Sequence, residues 1–190
     1  MRVAIKWVTG FLLAATGVTA VAQNYVANPN FDSDLSVWSS LQNATWDSAD
    51  GSPAAGSMDL ASTANSVAQG AQCVPIPQPP PANVDFYARM YVKTPGNFAA
   101  IFAVASDLAN CSTSNGTVIN LNPAVSTPVS GNPASGWVEI SATNQPLPNT
   151  TQAVVINLQV SAGPQEVVFD HVFFGATGTL PVRLQSFGVE

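Results

Sequence analysis

The segment 84–94 constrains the fold of this chain most strongly, because apolar side chains alternate there with polar or aromatic ones. The apolar set is Val84, Phe86, Ala88, Met90 and Val92. A period of two over ten residues predicts a β-strand with one buried face, since successive side chains of a strand point to opposite sides. The outward side carries Tyr87 and Tyr91 around Arg89, and rings beside a planar cation can form a ligand platform. The alternative is that these tyrosines pack beneath a crossing loop.

Other stretches follow the same pattern, and they predict an all-β fold. Alternating or wholly apolar runs occur at 57–62, 66–76, 98–105, 117–121, 136–143, 153–161 and 166–174, and two shorter candidate strands begin at residue 24 and at residue 44. No window of a dozen residues after residue 22 keeps a helical period. Nine or ten strands at regular spacing, separated by Pro, Gly and Asn turns, predict a two-sheet β-sandwich or jelly roll.

The run 153–161 would extend the tyrosine platform if it lay in the same sheet as 84–94. Its inward side is apolar, and Asn157 and Gln159 point outward. Amides hydrogen-bond sugar hydroxyls and aromatic rings stack on the apolar faces of sugars. Trp46 is a second aromatic candidate for such a site, on a loop side.

The first 22 residues have the layout of a secretory signal. Arg2 and Lys6 give a positive start, an apolar run follows, and Ala20-Val21-Ala22 offers a cleavage site before Gln23. The run is short and interrupted for a membrane anchor, which is the alternative. We therefore expect a secreted protein, extracellular or periplasmic, with no transmembrane segment in the mature chain. Residues 23–178 would form the β-sandwich domain and 179–190 a tail.

The net charge of the mature chain argues against two classes of partner. Removal of residues 1–22 takes two of the five basic residues and none of the eleven acidic ones, so the mature charge is three minus eleven, or −8. Such a charge disfavours nucleic acid and anionic membrane surfaces.

Two cysteines in an exported chain predict a disulfide between Cys73 and Cys111. It would close a loop of about 39 residues, worth roughly 4 kcal/mol in the chain-entropy model. Two free thiols are the alternative.

The order of several short motifs resembles carbohydrate-binding modules of the family 4, 9 and 22 type, which are galactose-binding-like jelly rolls. The motifs are Asn28-Pro29-Asn30-Phe31-Asp32 with Leu35 and Trp38, the turn Gly56-Ser57, Tyr87 and Tyr91, Gly136-Trp137, and the segment from Phe169 to Val172. Together they cover nearly the whole mature chain. The resemblance implies a glycan-binding domain without catalytic activity.

The same resemblance implies a structural calcium ion near the N-terminal motif and the last strand. Carried over to this chain, Asp32 and Asp170 are the side-chain ligands, with backbone carbonyls around Asn28 and Asn30 completing the oxygen shell. Strict alternation would also place Asp170 on one face with Val168, Val172 and Phe174. A bare carboxylate is costly there, and a metal, a hydrogen-bond network or a position at the end of the strand would relieve the cost.

The sequence offers few of the reactive groups that an enzyme would need. His171 is the single histidine, with no Ser-centred elbow to complete a triad. The acidic residues would form a glycosidase pair only if the fold brought two of them across a cleft. The sequence therefore predicts a secreted, noncatalytic module that binds glycan through Tyr87, Arg89, Tyr91, Asn157, Gln159 and Trp46. The alternative is a structural or adhesive extracellular protein that binds no sugar.

Overall fold

The computed structural model describes residues 23–96, 99–112, 117–119 and 136–178, with backbone alone for 117–119. The described residues form ten strands: β1 (Ser39–Gln42), β2 (Ala44–Asp47), β3 (Ser57–Ser62), β4 (Ala68–Pro75), β5 (Asn83–Thr94), β6 (Ala99–Ser106), β7 (Thr117–Ile119), β8 (Val138–Pro146), β9 (Ala153–Val160) and β10 (Gln165–Ala176). The described residues include no helix capable of crossing a membrane. The predicted signal at 1–22 and the whole of the tail at 179–190 lie outside the described residues.

The strands form two antiparallel five-stranded sheets. Sheet A has the order β1-β4-β9-β6-β7, and sheet B has the order β2-β3-β10-β5-β8. The last two strands, β9 and β10, occupy the centres of the two sheets and are joined by a short turn at 161–164. The predicted all-β, two-sheet sandwich is confirmed.

The core lies between the sheets and is built from the inward side of each strand. The alternation in 84–94 is confirmed, because Val84, Phe86, Ala88, Met90 and Val92 are all buried in one cluster. Facing residues on the central strands include Phe169 and Phe174 on β10 and Ile156 and Leu158 on β9, which are fully buried. Removal of this apolar surface from water is the main stabilising term of such a sandwich.

One expectation about sheet pairing is wrong. The strand of Tyr87 and Tyr91 (β5) lies in sheet B, and the strand of Asn157 and Gln159 (β9) lies in sheet A. Both sets point outward, so they lie on opposite outer surfaces of the sandwich with the core between them. The six predicted ligand residues therefore cannot form one site.

The predicted disulfide is confirmed. Cys73 on β4 is bonded to Cys111 in the loop after β6, with the two Cα atoms 5.8 Å apart. It connects two parts of the chain that are 38 residues apart in sequence.

A bulge in β10 corrects the predicted facing of Asp170. The register of β10 against β5 shifts between Asp170 and Phe173, and His171 has a φ of 51°. A bulge adds one residue to a strand and so reverses the alternation beyond it. Asp170 consequently points outward with Val168, whereas Val172 and Phe174 point into the core.

Replacing Phe169 with alanine should test the core. We expect Phe169→Ala to lower the free energy of unfolding by about 3–5 kcal/mol, because it leaves a cavity at the centre of sheet B. Urea denaturation of the two proteins gives the difference. The matched substitution Phe102→Ala, at a half-buried ring on the outer surface of sheet A, should cost less than half as much. Equal losses would contradict the assignment of Phe169 to the core.

Candidate functional site

The outward surface of sheet B holds Tyr87 in a packed ring cluster. Tyr87 is only 8% exposed, and its ring stacks on Phe173 with centroids 4.9 Å apart and planes at 4°. Its hydroxyl lies 3.3 Å from Nε2 of His171, whose Nδ1 lies 2.9 Å from Oδ1 of Asn30. Burial, and then the charge of Arg89, lower the pKa of His171. Both effects favour the neutral imidazole, which hydrogen-bonds Tyr87 and Asn30.

The loop 48–56 crosses this surface and engages Arg89. The guanidinium donates to Oγ of Ser52 at 2.5 Å, and the backbone N–H of Ser52 donates to Oδ2 of Asp170 at 2.5 Å. Tyr91, further along β5, packs its half-buried ring against Trp137 at 5.8 Å. Tyr87 and Tyr91 are therefore packed against other side chains of the protein, and the loop 48–56 engages Arg89 between them.

Trp46 lies on β2, at the opposite edge of sheet B from the tyrosine strand. It pairs with Met58 and donates its indole N–H to the carbonyl of Phe31 at 2.7 Å. It is 40% exposed. Met58 belongs to the buried core, so Trp46 lies on the core-facing side of this edge strand and not on the outward surface that carries the tyrosines.

Four carboxylates surround Lys93 on the same surface. The ammonium lies 2.7 Å from Asp47, 2.9 Å from Asp59, 3.0 Å from Asp50 and 3.6 Å from Glu166. Burial lowers the pKa of Lys93, but the hydrogen bonds to Asp47, Asp59 and Asp50 outweigh it and raise the pKa above its ordinary value. Strands β2, β3, β5 and β10 and the loop 48–56 are thereby joined through one ammonium.

The carboxylates around Lys93 do not titrate alike. The hydrogen bond from Lys93, and then the N–H of Ala49, lower the pKa of Asp47 to about 2. Burial raises the pKa of Asp59 to about 6 despite its hydrogen bond to Lys93, and Glu166 raises it as well. The difference follows burial, since Oδ1 of Asp59 is enclosed without a hydrogen-bond partner among the described residues.

Asp170 and Asp32 lie close enough to influence each other, as a shared cation would require. Asp170 is 1% exposed and accepts N–H groups from Ser52 and, at 2.6 Å, from His171. Burial raises the pKa of Asp170 to about 6, those N–H groups lower it, and Asp32 raises it. A buried carboxylate beside a second carboxylate is an environment that a hard cation stabilises. Both carboxylates are of the kind that the predicted calcium ion needs, and the ion itself stays a prediction.

The asparagines fit less fully through their side chains. Asn30 uses its Oδ1 on His171. Asn28 donates its amide to the carbonyl of Asp34 at 2.9 Å, and its own carbonyl accepts from the Trp38 indole at 3.3 Å. Within the described ranges no three His, Cys, Asp or Glu side chains converge on a metal position. Backbone carbonyls would have to supply most of the remaining oxygens.

The outward surface of sheet A carries a different set of side chains, which we call the amide face. Strands β4, β9 and β6 pair there in rows, and the face comprises Gln69, Gln159 and Ala100 in one row and Ala71, Asn157 and Phe102 in the next. These side chains bear no formal charge. Asn157, Gln159, Gln69 and Phe102 are half-buried, whereas Ala71 and Ala100 are buried between them.

The amides of this face are only lightly engaged. Nε2 of Gln159 is 3.4 Å from Oε1 of Gln69, a long hydrogen bond. Oδ1 of Asn157 has no hydrogen-bond partner among the described residues. Sequence reasoning found Asn157 and Gln159 but missed Gln69 and Phe102, because only the non-local pairing of β4, β9 and β6 brings these four together.

Comparison with known proteins identifies the fold. No protein-family model and no curated protein matches the sequence. Among solved structures, the carbohydrate-binding module TmCBM61, in complex with β-1,4-galactotriose, has a TM-score of 0.57 at 14% identity over 81% of this chain and 99% of its own. The protein has the fold of a carbohydrate-binding module.

Two further modules and one larger protein share this fold. A family 16 carbohydrate-binding module matches with a TM-score of 0.56 at 11% identity, over 80% of this chain and 99% of that one. The xylan-binding CBM22-1 domain of Xyn10C from Paenibacillus barcinonensis matches with a TM-score of 0.52 at 9% identity, over 83% of this chain and 96% of that one. The enzymatically active domain of tailspike protein 4 from Bacteriophage CBA120 matches with a TM-score of 0.57 at 15% identity, over 80% of this chain but only 21% of its own length. At these identities the likeness establishes the fold alone.

The cluster around Lys93 should make stability depend on pH. The pKa of Asp59 is raised from 3.8 to about 6 on folding, so the folded state binds this proton more tightly. That stabilisation is fully present below pH 3.8 and is lost as the pH rises through about 6. We expect Asp59→Asn to reduce the loss of unfolding free energy between about pH 4.5 and about pH 7.5 by on the order of 1 kcal/mol. Urea denaturation at both pH values measures it.

The control for this prediction is Asp50→Asn, which removes a more exposed carboxylate from the same ammonium. It should keep the pH dependence of the wild type. If Asp59→Asn and wild type show the same dependence, Asp59 is not the titrating group.

Proposed function

We propose that this protein is a secreted, noncatalytic carbohydrate-binding module that binds neutral glycan through the amide face of sheet A. The observation that carries the proposal is the presence of three half-buried amides beside one half-buried ring, all uncharged, on the outer surface of a carbohydrate-binding-module fold.

The chemistry of the amide face suits sugar hydroxyls. Each amide can both donate and accept a hydrogen bond, as a hydroxyl can. The enclosed oxygen of Asn157 has no hydrogen-bond partner among the described residues, so turning this amide toward a ligand breaks no hydrogen bond of that oxygen to them. Phe102 lies directly opposite Asn157 in the sheet and offers a ring for stacking on the apolar face of a sugar.

The other predicted ligand residues are less well suited. Tyr87 is buried against Phe173, and Arg89 is engaged by Ser52. Tyr91 packs on Trp137, and Trp46 lies at the far edge of the same sheet. A ligand on sheet B would have to displace the loop 48–56, which Lys93 and Arg89 hold by charge-assisted contacts. Sheet A requires no such displacement among the described residues.

The noncatalytic and secreted character rests on separate support. His171 is enclosed by Tyr87 and Asn30 rather than paired with a nucleophile. The clustered acids of sheet B surround an ammonium at 2.7–3.6 Å, which occupies the space a scissile bond would need. The signal-like segment at 1–22 and the disulfide favour export.

Substitutions on the two outer surfaces should separate the candidate sites. We expect Asn157→Ala/Gln159→Ala to weaken binding of the preferred oligosaccharide at least about tenfold, since two or more hydrogen bonds are lost. Phe102→Leu should weaken it as well. Isothermal titration against β-1,4-galactotriose, xylo-oligosaccharides and cello-oligosaccharides gives the Kd values.

The matched control is Tyr87→Phe/Tyr91→Ala on sheet B, which should leave the Kd within about twofold of wild type. The reverse pattern would move the site to the tyrosine surface. If wild type binds no glycan in this panel or on a broader array, the protein is better described as a structural or adhesive module that uses the same sandwich for other contacts.

The proposal includes a structural calcium ion held by Asp32 and Asp170, with carbonyls around Asn28 and Asn30. The ion would neutralise a carboxylate pair that includes one enclosed member. This site lies on the side of sheet B, so calcium should affect stability more than glycan affinity.

Calcium dependence can be measured by thermal unfolding. We expect millimolar calcium to raise the Tm of wild type by several degrees over a chelator-treated sample, because the ion binds only the folded state. Asp170→Asn should abolish the difference, whereas Asp59→Asn, a buried aspartate of the same sheet, should preserve it. An unchanged Tm for wild type would contradict the proposed calcium site.

A further inference from the structure

The Cys73–Cys111 disulfide joins two elements that are not neighbours in sheet A. Cys73 lies on β4, and the chain leading to Cys111 leaves β6 at Ser106. Strand β9 lies between them. Neighbouring strands are about 4.8 Å apart, so β4 and β6 are separated by roughly 10 Å. The residues 107–112, which we call the strap, must therefore cross β9 to reach Cys73.

The strap crosses on the outward side. Cys73 is exposed, and its neighbours Gln72 and Val74 on β4 are buried. Cys73 pairs with Val155 of β9, which pairs with Val104 of β6, and these three form the row next to Ala71, Asn157 and Phe102. Adjacent rows on one side of a sheet are about 7 Å apart, two residues along each strand. The strap thus runs beside the amide face and parallel to its rows.

The strap is a hydrogen-bonded turn that the disulfide ties to β4. The N–H of Cys111 donates to the carbonyl of Leu108 at 3.1 Å, and the N–H of Leu108 donates to Oγ of Ser106 at 3.1 Å. Oγ of Ser106 in turn donates to the carbonyl of Ser112 at 3.3 Å. Cys111 has a φ of 56°, a left-handed conformation that costs a non-glycine residue about 1–2 kcal/mol. The bond to Cys73 holds the residue there.

We propose that the disulfide is a positioning element of the glycan site as well as a stabilising cross-link. It fixes the strap as a wall along one side of the amide face, so that the site takes a neutral glycan chain lying across β4, β9 and β6 beside the strap. This inference rests on the proposed function. The three strands span roughly 10 Å from β4 to β6.

Removal of the disulfide should weaken glycan binding beyond its effect on stability. The test compares wild type with Cys73→Ser/Cys111→Ser, using whichever of β-1,4-galactotriose or a xylo-oligosaccharide binds wild type more tightly, at a temperature where circular dichroism shows both proteins folded. We expect the Kd to rise about tenfold. Val167→Ala, a cavity variant in the core of sheet B, lowers stability with the disulfide intact and should bind as wild type does.

A second measurement uses the wild-type protein alone and does not depend on the variant folding. Dithiothreitol reduces the disulfide to two thiols and becomes its own cyclic disulfide, and mass spectrometry after alkylation follows the rate. Saturating oligosaccharide should slow reduction several-fold, because it lies against the exposed Cys73, whereas a sugar that does not bind should have no effect.

The outcomes are distinguishable. Equal Kd values for wild type and the double serine variant, or equal reduction rates with and without bound oligosaccharide, overturn the role of the disulfide and leave the glycan site standing. Absence of any binding by wild type overturns the proposed function and this inference with it.

Discussion

The structure depends on the burial of one apolar side of each sheet against the other. The inward side chains of β5 and β10 in sheet B meet those of β9 and β6 in sheet A, and Phe169, Phe174, Ile156 and Leu158 are fully enclosed between them. Each strand then has one remaining side, since alternation commits every second residue to the core. Every polar group available for function must lie on an outer surface, in a loop or at a sheet edge.

The outer surfaces of the two sheets differ in the charge of their side chains. Sheet B carries charge, which is used internally: Lys93 holds four carboxylates, Arg89 holds the loop 48–56, and the rings of Tyr87 and Phe173 stack. Sheet A carries uncharged amides with few contacts and one half-buried ring. Because charges are costly to displace from partners and amides exchange partners readily, the second surface is the better one for a neutral ligand.

Two local features, the bulge at His171 and the Cys73–Cys111 disulfide, shape these outer surfaces. The bulge at His171 turns Val172 and Phe174 into the core, while Asp170 stays on the outward side, where the N–H of Ser52 binds it. The disulfide draws the strap over β9, so the uncharged surface is bounded on one side. The proposed calcium ion belongs to the first feature and the proposed glycan wall to the second.

The sequence by itself determined the local features. Alternation in 84–94 and 153–161 predicted two strands and their inward residues, because alternation depends only on neighbours in the chain. The cysteine count predicted the disulfide, because two cysteines can pair in one way only. It also indicated the class of fold through the order of short motifs. Only the tertiary structure decided that β5 and β9 lie in different sheets, that Gln69 and Phe102 join Asn157 and Gln159, and that Asp47, Asp50, Asp59 and Glu166 meet at Lys93. Sheet order follows from which strands pair across long sequence separations, and side-chain alternation is the same whichever partner a strand takes, so the pattern could predict each strand but not its neighbours.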